Sequence, residues 1–89
     1  MQAGNEAQAP VRRRLLTLES LLLLVNIELS VHTECHGVRI RRIIVTEPDA
    51  SGCNWQVEWP TVRTALSDPC CTQLRALVAD IRERYSVMR

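Results

Sequence analysis

The sequence predicts a small α+β domain of order α-β-β-α, with one antiparallel β-hairpin and both helices packed on one of its faces. Three observations predict it: a leucine-rich run with helical spacing, two strand-like runs around the turn Pro48–Gly52, and an amphipathic run near the C-terminus. A chain of 89 residues is expected to form one domain. Because Phe is absent and aromatic residues make up only 3%, aliphatic side chains must build most of the core.

Residues 1–14 are predicted to form a disordered N-terminal tail, and residues 15–89 a single domain. The start of the chain is small, polar and aperiodic, as termini without fixed structure usually are. The basic run Arg12–Arg14 is similar to the beginning of a signal peptide, but Glu19 interrupts the apolar run and no cleavage site of small residues follows. The run is also too short to span a membrane. We therefore expect a cytoplasmic protein without membrane contact, whose cysteines are reduced.

The first helix is predicted to run from Thr17 or Leu18 to about Val31. Thr17 is a good N-cap residue, and Glu19 in the first turn suits the helix dipole. The helix carries two apolar sets at helical spacing. The first set is Leu18, Leu21, Leu22, Val25 and Leu29, and the second, roughly opposite, is Leu23, Leu24, Ile27 and Val31. A helix that is apolar on two sides needs two partners. We expect the hairpin to be one, and the last helix or a second copy of the chain to be the other.

The second strand of the hairpin alternates cleanly between apolar and polar residues. Its inner face would hold Cys53, Trp55, Val57 and Trp59, and its outer face Asn54, Gln56 and Glu58. The first strand, from Val38 to Val45, alternates only if a β-bulge at Arg41-Arg42 shifts its phase. In the turn, Pro48-Asp49 suits a type I geometry and Gly52 can adopt a positive φ.

The five-residue turn sets the register of the two strands. The predicted pairs are Val45 with Trp55, Ile43 with Val57, and Arg42 with Glu58. The first two pairs lie on the inner face, which makes Trp55 a core residue rather than part of a binding surface. Trp59 is predicted on the same face, but at the strand end beside Pro60 it is the tryptophan that is expected to be more exposed. The third pair joins opposite charges across the outer face.

The last helix is predicted to begin at Asp68, as N-cap, with Pro69 at the first helical position. Charged residues cover its outer side, with Asp80 and Arg84 spaced for an i,i+4 ion pair. It should end near Tyr85. Its single apolar stripe is Cys70, Leu74, Leu77, Val78, Ile81 and Tyr85.

Arginines on the hairpin form a candidate binding set. Arg39, Arg41 and Arg42 would lie on the outer face, with Gln56 as an amide on the neighbouring strand. An arginine-lined ribbon can enter a groove of nucleic acid or hold an acidic partner. The net charge of only +1 argues against nucleic acid, because phosphate neutralisation supplies most of that affinity. A solvated face balanced by glutamates is the simpler interpretation.

A second candidate set has the ligand types of a zinc site: His32, Cys35 and His36, with one of the other cysteines. The spacing is not a standard one, since no C-x-x-C pair is present. The alternative is that the cysteines act as small apolar residues in the core. A disulfide such as Cys35–Cys53 would require an oxidising compartment, and no cofactor is expected.

The turn and the end of the last helix carry a resemblance. The segment Pro48-Asp-Ala-Ser-Gly-Cys-Asn-Trp55, with a leucine-rich helix and a basic strand before it and Arg82-Glu-Arg-Tyr85 near the end, resembles a group of short uncharacterised bacterial proteins. The resemblance covers roughly residues 17–87. Cys35, Cys70 and Cys71 depart from the pattern of that group. The resemblance implies a bacterial protein with this hairpin but implies no activity and no site residues.

The sequence predicts a protein that is not an enzyme. It contains no paired acid–base residues, Ser-His-Asp order, phosphate loop or Rossmann glycine pattern. The leading hypothesis is a small structural or protein-interaction module, with a homodimer as one form, because the first helix has a second apolar set. The alternatives are a nucleic-acid-binding ribbon that uses the hairpin arginines and a small zinc-binding protein.

Overall fold

The computed structural model describes residues 13–60 and 67–89. Within them the chain is a small α+β protein with two helices, two small sheets and one antiparallel hairpin, which confirms the predicted class. The elements are β1 (Arg14–Leu16), α1 (Leu18–Ser30), a 3-10 turn (Thr33–Cys35), β2 (Ile43–Val45), β3 (Trp55–Val57), α2 (Asp68–Arg84) and β4 (Tyr85–Val87). The α-β-β-α order is thus only partly matched, because a strand precedes α1 and another follows α2. No helix in the described ranges is long and apolar enough to cross a membrane.

The two strands that were not predicted pair with each other in parallel. Arg14 lies opposite Tyr85 and Leu16 opposite Val87, and the amide of Met88 donates to the carbonyl of Leu16 at 2.8 Å. Residues 1–12 of the predicted tail lie outside the described residues, whereas Arg14, assigned to that tail, begins β1. The strand pairing therefore brings the two ends of the described chain together.

The helix boundaries agree closely with the apolar spacing. The Thr17 hydroxyl accepts from the Ser20 amide at 3.1 Å, so Thr17 is the N-cap of α1 as predicted. The N-cap of α2 is Ser67 rather than Asp68, and its hydroxyl accepts from the Cys70 amide at 3.2 Å. Asp68 lies instead in the first turn, where its charge is favourable to the helix dipole.

The hairpin has the predicted register. Ile43 lies opposite Val57 and Val45 opposite Trp55, and the Glu58 amide donates to the carbonyl of Arg42 at 3.0 Å. Trp55 is fully buried, but Val45 is 42% exposed and Trp59 is 46% exposed, so the prediction that both lie inside was wrong. Each strand has only three residues; Val45 is the last residue of β2, and Trp59 lies two residues beyond the end of β3.

The segment before β2 does not form the predicted bulged strand. Its buried residue Ile40 pairs with α1 instead: the Asn26 side chain accepts from the Ile40 amide at 2.8 Å and donates to the Ile40 carbonyl at 2.9 Å. Pro60 lacks an amide hydrogen and cannot extend the ladder that a longer strand would need. The Asn26 side chain therefore makes the two backbone hydrogen bonds at Ile40 that a neighbouring strand would otherwise make.

A second asparagine does the same between the hairpin and β4. The Asn54 side chain donates to the carbonyl of Val87 at 3.0 Å and accepts from its amide at 2.9 Å. The sequence pattern placed Asn54 on the outer face, but it is only 5% exposed. Asn54 can be buried without a loss of hydrogen bonding, because the backbone of β4 bonds both its side-chain nitrogen and its side-chain oxygen. Asn54 thus connects the two sheets.

A disulfide joins Cys35 to Cys70, 35 residues apart. Both residues are buried in the core, and they tie the turn after α1 to the first turn of α2. The expectation of four reduced cysteines was therefore wrong for this pair, and Cys35 is bonded to Cys70 rather than to Cys53. Cys53 is buried and Cys71 half-buried, and both are free thiols.

Arg13 closes the end of α2. Its guanidinium donates to the carbonyls of Arg82, Glu83 and Tyr85, the last at 2.7 Å, and its Nε donates to the Ser86 hydroxyl at 2.8 Å. The last carbonyls of a helix have no partner within the helix and carry its negative dipole end. A cation from the start of the chain therefore stabilises the helix end, a role that nothing in the local sequence indicated.

Candidate functional site

The outward side of α1 is an apolar surface without a partner in the described chain. Leu21, Val25 and Leu29 are almost completely buried, which confirms the first predicted set at its centre. Leu18 of that set is 42% exposed. The second set divides in a different way: Leu24 packs against the core, whereas the rest is exposed. We call the exposed members the α1 stripe, and they are Leu23 at 60%, Ile27 at 53% and Val31 at 71%.

The α1 stripe is continuous with a shallow groove beside the helix. The groove lies between α1 and residues 37–41, and Asn26 fixes its two walls through the pair of hydrogen bonds to Ile40. Two concavities of about 520 and 590 Å³ lie along it, and both contain Leu23, Asn26 and Arg39. An apolar helix face and a cationic edge therefore belong to one surface.

The structure divides the four predicted binding residues between different places. Arg39 and Arg41 line the groove beside α1, where Glu19 is the acidic residue. Arg42 stays on the hairpin, with its Nε 3.9 Å from a carboxylate oxygen of Glu58. Gln56 lines a separate cavity against α2. All four are exposed, but they do not form the single arginine-lined ribbon that was predicted.

The predicted zinc residues lie together but lack their thiolate. His32, Cys35 and His36 all line the larger of the two concavities of the groove, the one of about 590 Å³. The sulfur of Cys35 is bonded to Cys70, so it cannot bind a metal ion as a thiolate. Over residues 13–60 and 67–89, no group of three or more His, Cys, Asp or Glu side chains is arranged to hold a metal ion. Of the three predicted ligands, His32 and His36 keep a side chain that can bind a metal ion, and Cys35 does not.

A polar cluster at the hairpin turn has a structural role. The Oδ1 atom of Asp49 accepts from the Ser51 hydroxyl at 2.7 Å, the Ser51 amide at 2.9 Å and the Cys53 amide at 3.1 Å. Its Oδ2 atom is 3.2 Å from Nη2 of Arg82, whose Nε donates to the carbonyl of Trp55 at 3.0 Å. The hydrogen bond from the Ser51 hydroxyl is the largest effect that holds the pKa of Asp49 below its usual value. Desolvation, the next largest effect, opposes it, and the two amides and Arg82 add smaller lowering effects. The cluster fastens the turn to α2.

Comparison with known proteins found no matching family model, no similar curated protein and no similar solved structure. The resemblance of residues 48–55 to a group of short bacterial proteins therefore stays a prediction. Functional inference depends on the surfaces of the chain itself. Of these surfaces, the α1 stripe was predicted from its spacing, whereas Asn26 and Arg13 gave no sequence signal because a single Asn or Arg is ordinary at the surface.

Proposed function

We propose that the protein is a small protein-interaction module that self-associates through the α1 stripe. The observation that carries the proposal is the exposure of Leu23, Ile27 and Val31 on a helix whose opposite side is already buried. These residues are spaced four apart and form one straight apolar ridge. Contiguous apolar surface of this kind marks interaction sites, and burying it is favourable at about 25 cal/mol for each Å².

The charges beside the α1 stripe favour a second copy as the partner. Arg39 and Arg41 flank it on the side of Asn26. Successive helical residues are about 100° apart, so exposed Glu28 lies on the other side. A two-fold axis parallel to α1 would set the arginine side of one copy beside Glu28 of the other. One surface would then supply both charges, as a symmetric interface requires.

Two leucines of equal exposure provide a test with a matched control. Leu23 is 60% exposed within the α1 stripe, and Leu15 is 61% exposed in β1, outside it. Light scattering should give a dimer mass for the wild type and for Leu15→Asp, and a monomer mass for Leu23→Asp. Circular dichroism should show all three folded. If both variants, or neither, become monomeric, the α1 stripe is not the interface.

We also propose, from the sequence alone, that the protein is not an enzyme and that it acts in the bacterial cytoplasm. The disulfide is evidence against that location, because cytoplasmic thiol systems keep most cysteines reduced. Alkylation of free thiols in intact cells, followed by mass spectrometry, measures the state of Cys35 and Cys70. Complete oxidation at steady state would place the protein in an oxidising compartment instead.

A nucleic-acid-binding function is the second candidate, and one observation favours it. The salt bridges among residues 13–60 and 67–89 involve Arg42, Arg82 and Arg84, so Arg39 and Arg41 have no carboxylate partner there. Exposed guanidinium groups can bind phosphate. A salt titration with DNA and RNA tests the candidate, and absence of a shift at low salt would reject it. The zinc alternative is not proposed, because its Cys35 ligand is in the disulfide.

A further inference from the structure

A cavity of about 450 Å³ lies between the end of the hairpin and the side of α2 that carries Leu74 and Arg75, away from the α1 stripe. Its floor is apolar and consists of the buried residues Val57, Leu74 and Val78. Trp59 forms one wall and is 46% exposed. This volume lies within the range of small-molecule sites, which combine an apolar lining with a few polar groups.

The charged groups of this cavity are all cationic. Arg75 and Arg82 line it from the same side of α2, and its described lining contains no carboxylate. Arg82 is held in place by its hydrogen bonds to Trp55 and Asp49, and Asp49 offsets part of its charge. Arg75 forms no salt bridge within the described chain and is therefore the main group for an anion.

The half-exposed indole restricts the class of ligand further. Trp59 offers its ring to the cavity next to the apolar floor, and flat aromatic groups stack favourably on such a surface. A guanidinium recognises a carboxylate through two parallel hydrogen bonds. We propose that this cavity binds a small aromatic carboxylate, with the ring against Trp59 and Val78 and the carboxylate on Arg75.

Three features of the described chain support this site. Trp59 is a large aromatic residue that the core leaves partly open. Arg75 is a cation without a described ion-pair partner. Gln56, a predicted binding residue, lies at the same cavity and not with the hairpin arginines. The site is independent of the α1 stripe, so it can be present whether or not the protein is a dimer.

NMR of the ¹⁵N-labelled protein tests the site, because the two tryptophans provide a probe and an internal control. The indole NH of Trp55 is bonded to the carbonyl of Tyr85 at 2.9 Å in the interior, whereas Trp59 faces the cavity. Titration with 3-phenylpropionate should shift the signals of the Trp59 indole and the Arg75 Nε–H saturably, and the Trp55 indole much less. The neutral 3-phenylpropionamide should bind about tenfold more weakly, since it lacks the charge-assisted pair.

Variants separate this site from general attraction of anions to the surface. Arg75→Gln should weaken the binding of 3-phenylpropionate about tenfold, whereas Arg39→Gln, at an exposed arginine in the groove beside α1, should not change it. Leu23→Asp should also leave it unchanged. The proposal is overturned if no saturable shift occurs at millimolar concentration, if the amide binds as well as the acid, or if inorganic phosphate shifts the same signals equally.

Discussion

Reduction of the Cys35–Cys70 disulfide should lower the free energy of unfolding by about 4 kcal/mol. The magnitude follows from the 35-residue separation of the two cysteines, because a cross-link of that length removes this much chain entropy from the unfolded state. Domains of this size are stable by only about 5–15 kcal/mol in total. The melting temperature should therefore fall by roughly 15–30 °C.

Urea unfolding of the oxidised and the reduced protein measures this difference directly. The double variant Cys35→Ala, Cys70→Ala should lose at least as much stability, since it also removes buried sulfur atoms. Cys71→Ser is the matched control, because Cys71 is a free, half-buried thiol beside the bonded Cys70. If the reduced and oxidised proteins unfold at the same urea concentration, the disulfide does not stabilise the folded chain.

Three further predictions concern the polar contacts that hold the elements together. Arg13→Ala should cost about 2 kcal/mol in thermal unfolding, because the carbonyls at the end of α2 lose their cationic donor, and an unchanged melting temperature would contradict this. Asn54→Ala should cost about 2–4 kcal/mol, since the buried amide and carbonyl of Val87 both lose their partner, whereas Gln56→Ala at an exposed position two residues further along should cost little. The lowered pKa of Asp49 means that its stabilising effect is present above the unfolded pKa near 3.8 and is lost as pH falls through the folded value. The difference in the free energy of unfolding between the wild type and Asp49→Asn should therefore be smaller in acid than at about pH 6. A difference that does not change with pH would be evidence against the turn cluster.

Repeating patterns made the helices and the hairpin predictable. The apolar spacing of α1 and the alternation around Trp55 are strong periodic signals, and the Pro48–Gly52 turn fixed a register that the structure confirms. The outward set on α1 was predicted by the same spacing, which is why the α1 stripe could be found from sequence.

The features that were missed depend on contacts between distant parts of the chain. Strands β1 and β4 have three residues each, too few for a period, and they pair across most of the sequence. The bridge from Asn54 to β4 was hidden by the alternation that placed it outside. The pairing of Cys35 with Cys70 could not be read from spacing, because connectivity depends on how the turn after α1 meets α2.

Sedimentation equilibrium of the oxidised wild-type protein over a range of concentrations tests self-association through the α1 stripe most directly. We predict that the molar mass rises from the 10.1 kDa of one chain toward twice that value as concentration increases. A mass that stays at 10.1 kDa at every concentration would show that Leu23, Ile27 and Val31 do not hold two copies together.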